Sequence, residues 1–205
     1  PYEPRLYNTT ALLWATEPRE PIQQLHEVGL PLAQWVSWVK GIEEAFVSTE
    51  VLRAIAGRFW GGEAAADFTT WEGKAPAARI IQDREYAKEC LILCDWAWPT
   101  ITVKDAPDRV GDPSLESQVL SAVTGNEVSE QDLYRIGERV LNLQRAILVR
   151  EGHRGREDDK LPDEWHDRPL KANSTNIECL VPGGAGEGVS RKGSVVDRAG
   201  FERTK

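Results

Sequence analysis

Three cysteines, Cys90, Cys94 and Cys179, are the residues whose type and spacing point most directly to chemistry. Cys90 and Cys94 lie four positions apart, so a helix places both thiols on one face, where they can share a metal. A zinc or iron–sulfur site needs about four ligands, and Cys179 is far away along the chain. Without a metal, the dipole at a helix C-terminus disfavours the thiolate. Two alternatives remain, an inert buried thiol or a ligand to a cluster that other residues complete.

Tryptophan and histidine side chains are further candidates for a functional site. Trp96 and Trp98 follow Cys94 directly and can line a substrate cavity, although packing in the core or at an interface explains them as well. His153 and His166 stand among charged residues, which predicts a solvated surface rather than a site.

Composition excludes several classes of function. The 205 residues are 40% hydrophobic and 28% charged, which is typical of globular proteins and suffices for one sizeable domain or two small ones. A net charge of −8 without a Lys/Arg stripe argues against a nucleic-acid partner. No apolar run reaches the roughly 20 residues needed to cross a bilayer, so no membrane association is expected. The few, widely spaced cysteines favour a reducing compartment, so we expect a cytoplasmic protein.

Hydrophobic periodicity predicts a mainly α-helical fold, with proline, Ser or Thr caps and closing glycines at the helix ends. The predicted helices cover about residues 21–28, 35–39, 49–59, 76–94, 113–125 and 130–150, the last with a Ser129/Asp132 capping box and a stripe of Leu133, Ile136, Val140, Leu143 and Ile147. After Gly152 the composition predicts an irregular, glycine-rich C-terminal tail. We expect a helical lobe over 1–104 that carries Cys90 and Cys94, and a second over 105–205 with an extended tail, or one continuous multi-helix domain.

The segment Glu89-Cys90-Leu91-Ile92-Leu93-Cys94-Asp95 resembles the D-x-x-G-L-C motif of the tungsten-containing aldehyde:ferredoxin oxidoreductase family. In that family the cysteine of the motif ligates a [4Fe-4S] cluster, and its neighbours hold one of two pterin groups that bind the metal. The resemblance implies that Cys94 is the metal ligand and that Glu89 stands where the family has Asp. It also implies cofactor contacts from Leu93, through its backbone, and from Asp95.

Other short segments resemble the same family in the same order along the chain. They are Tyr2-Glu3-Pro4-Arg5, Ala15-Thr16, Glu72-Gly73-Lys74-Ala75, Arg150-Glu151-Gly152 with Asp159, Leu161 and Pro162, and Val196-Asp197-Arg198 before Phe201-Glu202. Their order identifies the chain as the C-terminal portion of a member of this family. The chain contains no methionine and begins with Pro1, so we expect that an N-terminal part of the same protein is missing and completes the site.

Two positions depart from the family pattern. Ile92 replaces the glycine of the motif and adds a side chain where the family brings backbone close to the cofactor. The family's R-G-x-x-H segment reads Arg19-Glu20-Pro21-Ile22-Gln23, and a glutamine cannot transfer a proton at neutral pH. His26 lies three residues further on, on the same helix face as Gln23, and is the candidate catalytic residue for proton transfer. The alternative is that His26 is a histidine of the surface or of the core edge.

Two classes of function follow. In the first, the chain is the cofactor-binding C-terminal part of an anaerobic oxidoreductase that acts on an aldehyde- or carboxylate-level substrate. The resemblance implies a tungsten or molybdenum bis-pterin, a [4Fe-4S] cluster, and ferredoxin or another electron carrier as partner. Reduction of an aromatic thioester ring is the alternative chemistry within the family. In the second class, which Gln23 and Ile92 favour, the chain is a helical scaffold or interaction module without cofactor. For the isolated chain we expect no bound cofactor and no turnover.

Overall fold

A computed structural model of the chain describes residues 2–94, 96–98, 100–172 and 176–205. These residues form a mainly α-helical fold, as predicted, with one small antiparallel sheet. The helices are α1 (Asn8–Thr16), α2 (Ile22–Val39), α3 (Thr49–Phe59), α4 (Lys74–Cys90), α5 (Leu115–Thr124), α6 (Glu130–Arg150), α7 (Asp163–Asp167) and α8 (Arg198–Thr204), and the strands are β1 (Leu180–Pro182) and β2 (Gly188–Ser190). Two short 3-10 helices cover Glu63–Ala66 and Gly155–Glu157.

Local capping signals mark the beginnings of two helices, as the sequence predicts. The hydroxyl of Ser48 accepts a hydrogen bond from the amide of Val51 at the start of α3 (3.3 Å). At the start of α6, Ser129 and Asp132 form the complete capping box, in which each side chain accepts from the other residue's backbone amide. Each cap satisfies backbone N–H groups that have no partner within the helix.

The second helix differs from its prediction. We expected a short helix near residues 21–28 and a separate turn near 35–39, whereas α2 runs without interruption from Ile22 to Val39. Pro31 lies inside this helix and is buried. A proline there removes one backbone hydrogen bond, so the continuity of α2 depends on the packing of its apolar side against the rest of the core.

The fourth helix lies at the centre of the fold. It packs against α1, α2 and α6, and every residue from Ile81 to Lys88 is buried. The charged residues Asp83 and Lys88 are among those that the fold buries. The core around it is formed by buried apolar residues that include Leu6, Leu13, Leu25, Leu32, Trp35, Leu52, Ile55, Phe59, Trp60, Phe68 and Ile81.

The sixth helix packs on α4 at a glycine. A Cβ atom on Gly137 would lie 1.7 Å from the carbonyl oxygen of Asp83, so only glycine permits this approach of the two helices. The apolar stripe predicted on α6 is only partly buried. Leu133 is in the core, but Leu143 and Ile147 are exposed, because the helix turns its Gly137 side toward α4.

The C-terminal region is irregular and rich in glycine, but it contributes to the core. β1 pairs with β2 in antiparallel register, with Val181 opposite Val189. Val181 and Phe201 are buried together with residues from the N-terminal half of the chain. The boundary expected between residues 104 and 105 stays a prediction.

No helix in the described part of the chain has the length and apolar character that a membrane span requires.

Candidate cofactor-contacting site

The cysteine motif lies at the C-terminal end of α4. Two backbone hydrogen bonds end the helix there, and their spacings of five and three residues differ from the four-residue spacing inside an α-helix. The amide of Leu93 donates to the carbonyl of Lys88 (3.0 Å), and the amide of Ile92 donates to that of Glu89 (3.0 Å). This arrangement is a Schellman motif, whose turning residue adopts a left-handed conformation. Ile92 is that residue, with a φ of +60°. A β-branched side chain makes this conformation strained, whereas glycine adopts it readily.

Both cysteines of the motif are exposed. Cys90 is the last residue of α4, and Cys94 follows the helix end. The carbonyl of Cys94 accepts hydrogen bonds from the amides of Ala97 (2.9 Å) and Trp98 (2.7 Å), which turn the chain directly after the cysteine. The inert buried thiol, one of the two alternatives that the spacing left open, is therefore excluded for Cys90 and Cys94. Among the three cysteines, Cys179 is the buried one, with a side chain that is fully buried.

The structure does not bring these cysteines together with enough other ligands for a metal. Within residues 2–94, 96–98, 100–172 and 176–205, no three His, Cys, Asp or Glu side chains lie close enough to hold one ion. Asp95, which the resemblance places among the cofactor contacts, lies outside the described residues.

The side chain of Glu89 forms an ion pair with Arg19, in the connection between α1 and α2. The Arg19 guanidinium also lies 5.9 Å from the centre of the Tyr86 ring, and the Tyr86 hydroxyl donates to Glu17 (2.5 Å). Burial raises the pKa of Glu17 above the ordinary value for Glu. These contacts hold the connection between α1 and α2 against the last turns of α4, beside the cysteine motif.

The backbone of Leu93 is already used in the fold. Its amide donates to Lys88 and closes α4, so that N–H group cannot also donate to a cofactor. The Leu93 side chain is half-buried. A cofactor contact from Leu93 is therefore restricted to its carbonyl oxygen and its side chain.

His26 is buried on the side of α2 that carries Gln23. Its Nδ1 atom lies 3.3 Å from Oε1 of Gln23, as the three-residue spacing predicts. The imidazole also contacts two aromatic rings, that of Tyr2 (centroids 5.4 Å apart) and that of Trp96 (5.3 Å). Burial and then the nearby charge of Lys88 lower the pKa of His26, so the imidazole is neutral at pH 7.

Trp96 connects His26 to the cysteine motif. It lies two residues after Cys94 and packs edge to face against the imidazole, while most of its indole remains exposed. The structure thus places the candidate proton-transfer residue beside the segment that carries the candidate ligand, although 68 positions separate His26 and Cys94 in the sequence.

A comparison with protein families decides the relationship of the chain. The model of the aldehyde ferredoxin oxidoreductase family that covers domains 2 and 3 matches residues 1–182, which include the cysteine motif and helices α1 to α7. This chain belongs to the aldehyde ferredoxin oxidoreductase family. The family recognised from the sequence is thereby confirmed. A comparison with solved structures found no match.

The backbone at Ile92 has the geometry that a glycine favours. The D-x-x-G-L-C motif that this segment resembles has a glycine at the position of Ile92, and the left-handed turn observed here is the conformation that glycine adopts readily. This chain combines the left-handed turn with an isoleucine side chain. That side chain is 92% exposed, two residues before Cys94.

Other segments that resemble the aldehyde ferredoxin oxidoreductases come together through α6. Arg145 donates to both carboxylate oxygens of Asp159 (2.6 and 2.9 Å) and to the carbonyl of Thr16 (3.1 Å). Asp159 is buried, although it lies in a strongly charged stretch of the sequence. His166 is also buried, with Nδ1 2.8 Å from the carbonyl oxygen of Val196, so the prediction of a solvated His166 was wrong.

Lys74, in the Glu72–Ala75 segment, has a structural role. It is fully buried, and its ammonium group donates to the carbonyls of Ala64 (2.8 Å) and Glu72 (2.7 Å). Burial lowers the pKa of Lys74 to about 8. These bonds fix the chain where it enters α4.

Five charged residues that the sequence analysis did not single out meet beneath this site. We call Glu27, Arg84, Glu85, Lys88 and Glu116 the buried charge cluster, because each is at most 2% exposed. Arg84 contacts the carboxylates of Glu27 (2.5 Å), Glu85 (3.2 Å) and Glu116 (2.6 Å), and Lys88 contacts Glu85 (3.1 Å). One sequence signal was available, because charged residues lie around the whole circumference of α4. A helix of this kind buries some of its charges whenever other helices surround it.

Proposed function

We propose that this chain is the C-terminal, cofactor-contacting part of an anaerobic cytoplasmic oxidoreductase that converts an aldehyde to a carboxylate. Electrons leave through a [4Fe-4S] cluster to ferredoxin or another carrier. The observation that carries the proposal is the exposed thiol of Cys94 at the end of α4, in a chain that matches the family over residues 1–182.

The residues at the end of α4 fit one edge of such a cofactor. Cys94 is exposed, and an exposed thiol can be deprotonated and coordinate iron. A [4Fe-4S] cluster needs about four ligands, so we propose that the others come from residues outside this chain. When bound, the tungsten or molybdenum bis-pterin supplies the two-electron chemistry and the cluster supplies the path for electrons. The chain alone has no turnover under this proposal.

Residues around Cys94 orient the motif. The ion pair between Glu89 and Arg19 braces the last turn of α4, and the Schellman turn at Ile92 directs the following residues away from the helix axis. Leu93 and Asp95 belong to the same proposed contact surface for the pterin.

His26 is the proposed proton-transfer residue. With Oε1 of Gln23 as hydrogen-bond acceptor, Nδ1 of the imidazole carries the proton and Nε2 is the basic nitrogen. Because its pKa is lowered, His26 is neutral at pH 7 and can accept a proton that substrate oxidation releases. Trp96 and Tyr2 restrict the access of water to the ring.

The two cysteines of the motif provide a matched test. We would purify the whole protein without oxygen as wild type, Cys94→Ser and Cys90→Ser, and measure iron, tungsten and molybdenum together with the electron paramagnetic resonance of the reduced cluster. Cys94→Ser should lose the cluster signal, whereas Cys90→Ser should retain it. Equal metal content and signal in all three proteins would refute the role of Cys94.

A helical scaffold without cofactor is the second candidate. Ile92 places an exposed side chain next to Cys94, and Gln23 occupies the histidine position of the family segment. Absence of iron, tungsten and molybdenum from the anaerobically purified wild-type protein would favour this candidate. If the metals are present, assays with aldehydes and with aromatic thioesters would distinguish aldehyde oxidation from ring reduction.

A further inference from the structure

The buried charge cluster contains more acids than bases. Glu27, Glu85 and Glu116 carry three negative charges when ionised, and Arg84 and Lys88 carry two positive charges, which leaves one negative charge in excess among the described residues. An uncompensated charge in the interior is costly, and a buried group usually becomes neutral instead. One bound proton would balance this cluster.

Unpartnered oxygen atoms lead to the same conclusion. Within the described part of the chain, Glu27 Oε1, Glu85 Oε2 and Glu116 Oε2 are buried and accept no hydrogen bond. Each of these carboxylates uses its other oxygen to contact a cation. Glu27 and Glu85 interact through their side chains, and two ionised carboxylates offer only hydrogen-bond acceptors to each other. A proton on one of them supplies the missing donor.

We propose that the buried charge cluster is a proton-binding site, in which Glu85 holds one proton beside Glu27 at neutral pH. Glu85 is the member with the longest cation contacts, 3.2 Å to Arg84 and 3.1 Å to Lys88. Glu27 and Glu116 lie 2.5 and 2.6 Å from Arg84, so their charges are better compensated. In agreement with this geometry, burial raises the pKa of Glu85 to about 8, while Arg84 and Lys88 keep that of Glu27 below its ordinary value.

The groups around Glu85 come from four helices and one loop. Glu27 comes from α2, Arg84 and Lys88 from α4, and Glu116 from α5. Thr100 donates to Glu116 (3.0 Å) and accepts from Arg84 (3.0 Å). Tyr134 of α6 also lies within the electrostatic reach of Arg84 and Glu27.

The proposal implies that the stability of the packing between α2, α4 and α5 depends on pH. In the unfolded chain, Glu85 loses its proton near the ordinary value of 4.5, whereas the folded protein retains it to about pH 8. The stabilisation from this proton is complete below the unfolded value and is lost as the pH rises through the folded value. Because Glu27 follows His26 on α2, loss of the proton loosens the helix that also carries the candidate proton-transfer residue.

Equilibrium unfolding tests the proposal in wild type and in Glu85→Gln, whose neutral amide mimics the protonated acid. Between about pH 5 and about pH 8, the unfolding constant of the wild type should rise about tenfold per pH unit relative to that of Glu85→Gln. The exposed Glu157→Gln should follow the wild type. Parallel pH dependence in wild type and Glu85→Gln would overturn the proposal.

Infrared spectroscopy tests the same proton in the wild type alone. At pH 7 we expect a carboxylic acid C=O band that shifts in D2O and disappears as the pH is raised through about 8. Glu85→Gln should lack this band. If Glu85→Gln does not fold, the wild-type titration still decides, since a spectrum at pH 7 without a protonated carboxyl band would refute the proposal.

Discussion

The imidazole of His26 and the indole of Trp96 meet edge to face with their centroids 5.3 Å apart, which brings α2 against the segment that follows Cys94. His26 is 6% exposed although Trp96 is 67% exposed, so the indole acts as an outer cover for the imidazole. The environment of His26 is therefore sensitive to the position of the chain next to Cys94.

We expect that Trp96→Ala shifts the pKa of His26 upward toward 6.5, because water then solvates the charged imidazolium. Nuclear magnetic resonance titration of the imidazole protons measures this change. Trp38→Ala removes another partly exposed indole from the last turn of α2 and should leave the titration of His26 unchanged. A wild-type midpoint above 6.5 would contradict the burial that we assign to His26.

Ile92→Gly should stabilise the protein by about 1 kcal/mol, because glycine adopts the left-handed turn without strain. The side chain is 92% exposed, so its removal sacrifices little packing. Gly152 occupies the equivalent position after α6, with a φ of +106° and a bond from the His153 amide to the carbonyl of Leu148 (2.9 Å). Gly152→Ala should therefore destabilise by about 1 kcal/mol. Urea unfolding of both variants measures these opposite effects.

Gly137→Ala should cost about 3 kcal/mol or more, because its Cβ would lie 1.7 Å from the carbonyl oxygen of Asp83 and would force α4 and α6 apart. Gly57→Ala, inside α3, is the matched control. Its Cβ would meet Glu63 at 3.8 Å, an ordinary contact, so helix propensity should stabilise the protein by up to about 1 kcal/mol. Thermal unfolding of the two variants should give shifts of opposite sign.

Asp159→Asn should destabilise the protein by about 3 kcal/mol, because it leaves the charge of Arg145 partly buried without its carboxylate partner. Asp158→Asn is a neighbouring control that also interrupts a pair with an arginine, Arg154. Arg154 is 62% exposed, so water screens this pair more strongly and the loss should be much smaller. Equal losses in chemical denaturation would show that the burial of Asp159 has little energetic effect.

Much of the helical architecture and the family relationship could be predicted from the sequence. The Ser48 cap, the Ser129/Asp132 capping box and the glycine at the end of α5 are local signals, because a cap depends on backbone groups only two to four residues away. The family could also be identified from the sequence, because the order of short segments along the chain does not depend on how the chain folds.

Burial depends on residues that are distant in the sequence, so only the tertiary structure decided it. The exposure of Cys94, the burial of Lys74 and the partial exposure of the α6 stripe all depend on which elements cover each face. The buried charge cluster required α2, α4 and α5 to converge on Arg84, and local patterning contains no information about that convergence. The sequence by itself determined where α3, α5 and α6 begin and end and which family the chain resembles, because caps and segment order are local properties. The tertiary structure determined which charges leave water, because desolvation is set by the packing of the whole fold.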